Sequence, residues 1–208
     1  MVISVFGKLM PLLFLATLTT PQQDLLSLLN AEKANYSLLT YSQHYADKDN
    51  NPVEYTGTLY LQLESFSLDN CTLILNVVVQ DRYTGKEEQR KHLRKIEALP
   101  KLLSSSYRYS YRVNIKDAVE LHAVPVEGRP SQFLENTGFV CKESAACKLE
   151  WLNLKAANPT IKEIREFDGL VNFNQAVKAI EIPMTSHDAA LQIATSIEHL
   201  AETCHKNP

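Results

Sequence analysis

Four cysteines, Cys71, Cys141, Cys147 and Cys204, constrain this chain more than any other feature. The last of them sits in the closing stretch "AETCHKNP", far in sequence from the other three. An even number of cysteines behind an export-like N-terminus reads as two disulfides, for which three connectivities exist. "CKESAAC" places five residues between Cys141 and Cys147, a comfortable loop for a local bridge. Cys71 and Cys204 are then left for each other. Closing so long a loop restricts the unfolded chain by about 5 kcal/mol, and the short loop by about 2 to 3 kcal/mol. The long-range bridge would pin the C-terminal element onto the sheet.

Other uses of these thiols fit the spacing less well. A zinc knuckle needs two to four residues between paired cysteines, and a redox pair needs C-x-x-C; neither pattern occurs. His199, Cys204 and His205 lack the i, i+4 spacing that aims two ligands from one helical face. Cys204 would also lie at the negative end of a helix dipole, which disfavours a thiolate nucleophile. No metal site and no cofactor is expected.

The N-terminal "MVISVFGKLMPLLFLATLTTPQQ" carries one lysine, Lys8, followed by an apolar run from Leu9 to Leu18. Ten residues of helix cross only about half of a bilayer core, so the run suits the apolar region of an export signal over residues 1–20. Its departures from that pattern are the apolar residues before Lys8 and the lack of an A-x-A cleavage site. Thr17 and Thr19 are the best small pair, and no cysteine follows for lipid attachment. Residues 21–208 are expected to form a single globular domain with no stable transmembrane segment. Its setting would be extracytoplasmic, periplasmic or secreted. A 208-residue chain, 45% hydrophobic and 22% charged, can bury a sizeable core. The formal charge of −3 gives no electrostatic reason to expect nucleic acid.

Hydrophobic periodicity fixes the elements. Thr20, Pro21 and Gln23 form a capping-box start for a helix with Leu25, Leu28, Leu29 and Glu32 along one face. From about Tyr36 the period becomes two. Tyr55, Gly57, Leu59, Leu61 and Leu63 share a face, Asp69 and Asn70 supply a turn, and Cys71, Leu73, Leu75, Val77 and Val79 share the next face. "YRYSYRVNI" alternates Tyr107, Tyr109, Tyr111, Val113 and Ile115 against Arg108, Ser110, Arg112 and Asn114. "AVELHAVPV" adds a strand, a disulfide-stapled hairpin is expected near 134–154, and "LVNFNQAVKAIEIPM" supplies the last strands. Thr185 and Asp188 mark the start of a final helix, with Ala189, Leu191, Ala194, Ile197 and Leu200 at helical spacing. The prediction is an α+β fold: an antiparallel curved sheet or partly open barrel of five to eight strands, flanked by an N-terminal and a C-terminal helix. In layout alone this is similar to pleckstrin-homology-like domains, with no sequence motif carrying the likeness.

Candidate chemistry is sparse. Thr185–Asp188, "TSHD", gathers hydroxyls, a histidine and an acid, but triads assemble from residues distant in sequence, so capping is the better reading. The run from Asp81 to Lys101 mixes seven basic with four acidic residues, and either grips an anionic surface or forms a self-paired solvated face. Tyr107, Tyr109 and Tyr111, with Trp151, are candidate ligand-binding residues for a planar or sugar ligand; the competing reading makes them core-edge rings. No Gly-rich phosphate loop, H-E-x-x-H or G-x-S-x-G occurs. The function class expected is an exported, disulfide-stabilised, non-enzymatic binding or envelope-associated protein, whose partner is a small ligand, an envelope component or another protein. The alternative is an extracytoplasmic hydrolase with His122, His187 or His199 as base, which requires one of them to meet a hydroxyl or carboxylate in a cleft.

Overall fold

The computed structural model describes residues 20–35, 37–46, 49–83, 106–115, 121–129, 149–167 and 169–206. Among the described residues two helices bracket nine strands: α1 (Pro21–Lys33), β1 (Ser37–Ala46), β2 (Pro52–Asp69), β3 (Thr72–Tyr83), β4 (Ser106–Asn114), β5 (His122–Arg129), β6 (Leu149–Lys155), β7 (Ile161–Phe167), β8 (Leu170–Val177), β9 (Ala179–Met184) and α2 (His187–Lys206). The expected α+β class with terminal helices and antiparallel pairing is present. The strands divide, however, between a sheet in the order β1-β2-β3-β4-β7-β8 and a smaller one in the order β5-β6-β9. Among the described residues no barrel closes, because β1 and β8 each pair with one neighbour.

Local chemistry explains most boundaries. Thr20 Oγ1 accepts the Gln23 amide at 3.3 Å and the Thr20 amide donates to Gln23 Oε1 at 3.1 Å, completing the predicted capping box. Asn70, at φ 50°, makes the turn between β2 and β3, a conformation that asparagine tolerates better than most residues. A register shift between Leu63 and Ser65 returns Phe66 and Leu68 to the core side of β2. Gly169, at φ 80°, supplies the left-handed position between β7 and β8.

The chain weaves between the sheets: it leaves the large one after β4, lays down β5 and β6, returns for β7 and β8, and leaves again for β9. One continuous core results. Leu59, Leu61, Leu73, Leu75, Val77, Tyr109, Tyr111 and Val113 fill the inner face of the large sheet. Both faces of β6 and β9 are buried: Leu152, Leu154, Ile180 and Ile182 alternate with Trp151, Asn153 and Glu181. Helix α2 lies against β5, β6 and β9, and α1 lies against α2 and β2.

The α2 stripe differs from its prediction. Ala190, Ile193, Ala194, Ile197, Leu200 and Cys204 are buried, whereas Leu191 is half exposed. The burial stripe thus runs through Cys204 itself, and a residue one position from Ala190 on a helix points about 100° away. Ser186, rather than Thr185, caps the helix, its hydroxyl accepting the Ala189 amide at 3.1 Å. Thr185 is held by α1 instead: Glu32, itself buried, accepts the Thr185 amide at 2.9 Å and its hydroxyl at 2.7 Å.

The Cys71–Cys204 disulfide is present, with Cα atoms 5.9 Å apart across a sequence separation of 133. Cys71 lies in the β2–β3 turn and its carbonyl accepts the Ile115 amide at 2.8 Å, so the last turn of α2 is fastened where β3 and β4 meet. Cys141, Cys147, most of the 134–154 hairpin and, apart from Thr20, the expected signal over 1–20 fall outside the described residues. No described helix is long and apolar enough to cross a membrane.

Candidate functional site

Two faces of the large sheet present polar chemistry. On the inner face, register sets Tyr111 opposite Glu163, Tyr109 opposite Arg165 and Tyr107 opposite Phe167. Arg165 Nε donates to Glu163 Oε1 at 2.7 Å, and its guanidinium lies 4.3 Å over the Phe173 ring and 5.9 Å from that of Tyr109. Burial disfavours the Arg165 charge, but the hydrogen bond and the field of Glu163 outweigh it and raise the pKa. Burial raises the Tyr109 hydroxyl pKa, and it raises that of Tyr111 well above its ordinary value, with the Glu163 and Glu181 carboxylates adding to the effect on Tyr111. Both phenols therefore stay protonated at neutral pH and are poor candidates for bases.

Of the predicted ligand-binding residues, Tyr109, Tyr111 and Trp151 belong to the buried core, at 3%, 1% and 0% exposure. Tyr107 is half-buried at the margin, its ring 4.8 Å from that of Phe167. In this arrangement a ligand on that face reaches only Tyr107 among the four. Tyrosine rings alternating on a strand signal a half-buried face, and only the covering sheet decides how buried.

On the outer face, Tyr60, Gln62, Val78, Gln80 and Arg82 line a shallow depression of about 270 Å³. Arg82 sits 4.4 Å over the Tyr60 ring and donates to Gln80 Oε1 at 3.0 Å. Gln62 Nε2 donates to the Lys33 carbonyl at 3.0 Å, tying this face to the end of α1. Beside it, Arg108 pairs with Glu64 at 2.8 Å; that hydrogen bond raises the Arg108 pKa. In the sequence Arg82 belongs to the charged run from Asp81 to Lys101, and nothing there singles out Tyr60, Gln62 or Gln80. The missed signal was the alternation in β2 and β3 read from its outward side.

The histidines named for a hydrolase, His122, His187 and His199, are all exposed. His187 Nδ1 lies 3.5 Å from Glu150 Oε2. Among the described residues no group of three or more His, Cys, Asp or Glu side chains could hold a metal ion.

Fold and site together define a two-sheet α+β domain with a tethered C-terminal helix and a polar concavity on its larger sheet. Comparison with protein-family models, curated proteins and solved structures finds no match.

Proposed function

We propose that the chain is an exported, disulfide-stabilised binding domain without catalytic activity, and that its contact surface is the outward face of β2 and β3. The carrying observation is the Arg82–Tyr60 stack at 4.4 Å within a depression flanked by Gln62 and Gln80. A guanidinium held over a ring is pre-oriented, and Arg carries five N–H donors matched to carboxylates. Neighbouring amides both donate and accept, which suits hydroxyl-rich chains. The chemistry favours an acidic polysaccharide of the envelope or surroundings. Export is supported by the N-terminal apolar run and by the long-range disulfide, since such bridges persist in oxidising compartments.

The test is titration of the isotopically labelled full chain with a uronic-acid oligosaccharide, with a neutral oligosaccharide of equal length as control. Amide shifts should cluster at Tyr60, Gln62, Val78 and Gln80 and vanish in Arg82→Ala. Equal response to both sugars, or shifts elsewhere that ignore Arg82→Ala, would remove this reading.

A further inference from the structure

We propose that β8 is an edge-to-edge contact with a second copy of this chain, two large sheets joining through antiparallel β8 strands about a two-fold axis. Strand β8 pairs with β7 alone among the described residues, and no described strand lies on its other side. Six of its eight residues are exposed; Phe173 and Val177 on one face are partly buried, against Arg165 and the core, and the other face is open. Leu170 and Val171 are 75% and 59% exposed, large values for apolar side chains on one strand.

Edges that end in solvent are blunted by charge or proline. "LVNFNQAV" has neither over its full length, whereas β7 beside it has four charged residues in seven. The neutral edge is self-complementary. An isologous antiparallel pair sets each residue opposite its own copy or a near neighbour, so any charge close to the axis would face a like charge. None does here. A register shift against β7 between Arg165 and Glu166 disturbs the start of β8 and leaves Phe173–Val177 in regular pairing. For an axis anywhere from Phe173 to Gln175, Asn174 lies within two positions of its own copy. Its side chain is exposed on the face opposite Phe173. The proposal is independent of the ligand surface on β2 and β3.

Sedimentation velocity of the full chain across micromolar to millimolar concentrations should show a reversible dimer. Amide exchange at Phe173–Val177 should slow as concentration rises. Asn174→Lys should weaken self-association by about fivefold or more, since opposed like charges disfavour cross-strand pairs. Mixing Asn174→Lys with Asn174→Glu should restore it. Dilute-solution circular dichroism checks that both variants keep the fold. A wild-type chain that stays monomeric throughout, with exchange at β8 independent of concentration, overturns the proposal and leaves the edge to a different partner. A dimer unaffected by Asn174→Lys, or a mixture that fails to recover, overturns it as well.

Discussion

Replacing both Cys71 and Cys204 by alanine isolates what the long bridge contributes, and leaves Cys141 and Cys147 untouched. The separation of 133 residues sets the scale. Opening a loop of that length returns about 5 kcal/mol of conformational freedom to the unfolded chain under the chain-entropy model. That is comparable to the whole stability of a small domain, commonly about 5 to 15 kcal/mol. The folded state loses less, because Ala190, Ile193, Ala194, Ile197 and Leu200 still dock α2. Urea unfolding followed by the fluorescence of Trp151, the single tryptophan and fully buried, should show a midpoint shift that corresponds to about 3 to 5 kcal/mol. Hydrogen exchange should accelerate selectively in the last turn, Thr203 to Lys206, while Ile193 and Ile197 keep their protection. A loss below about 1 kcal/mol would refute the loop-entropy argument. Uniform loss of protection along α2 would refute the claim that the apolar stripe, not the bridge, docks the helix.

Four further outcomes follow from particular contacts. Glu32→Ala should cost about 2 to 3 kcal/mol in chemical unfolding, because it removes two hydrogen bonds that a carboxylate accepts from Thr185 and uncouples α1 from the start of α2. Arg165→Ala should cost about 2 kcal/mol by leaving the Glu163 carboxylate buried without its partner, and adding Glu163→Gln should recover part of the loss in a double-mutant cycle. Arg108→Ala at the exposed Glu64 pair should change stability by less than about 1 kcal/mol in the same assay. Tyr109 and Tyr111 have pKa values raised above the ordinary 10.0, so the folded state holds their protons more tightly than the unfolded one. Their contribution is complete below pH 10 and is lost as pH rises above it. Alkaline titration should therefore show these phenols ionising only with global unfolding, and the double replacement by phenylalanine should flatten that pH dependence.

The strongest periodic signals in the sequence carried through. The capping box at Thr20, the alternation of β2 through β4 and the Cys71–Cys204 pairing are all present, because each rests on local geometry or on elimination among few candidates. Division into two sheets was not legible, since pairing partners are set by which chain segment returns beside β4. Strand β7 escaped notice for a related reason. "IKEIREF" reads as a solvated charged stretch, yet Glu163 is buried and Arg165 is partly buried beside it because the two charges satisfy one another against tyrosine rings. Burial of charge by mutual pairing leaves no mark in a hydropathy pattern.

Of the two readings open for the tyrosine strand, a ligand cleft or core-edge rings, the burial of Tyr109 and Tyr111 fits the second. Tyr107, Tyr109 and Tyr111 attracted attention because aromatic rings on one strand face can line a cleft. Strands β5 and β6, between β4 and β7 in chain order, and β9, after β8, form the small sheet; Glu181 on β9 acts on Tyr111, which is buried along with Tyr109. The outward side of β2 and β3 has no covering layer in the described residues, so its Tyr60, Gln62, Gln80 and Arg82 stay accessible although the sequence distributes them singly among apolar neighbours. Accessibility here follows from topology. A strand that buries one face must present the other, and what stands on that second face is available for contact unless another element returns to cover it. By that reasoning the outer side of β2 and β3 and the outer edge of β8 are regions of the large sheet that no described element covers.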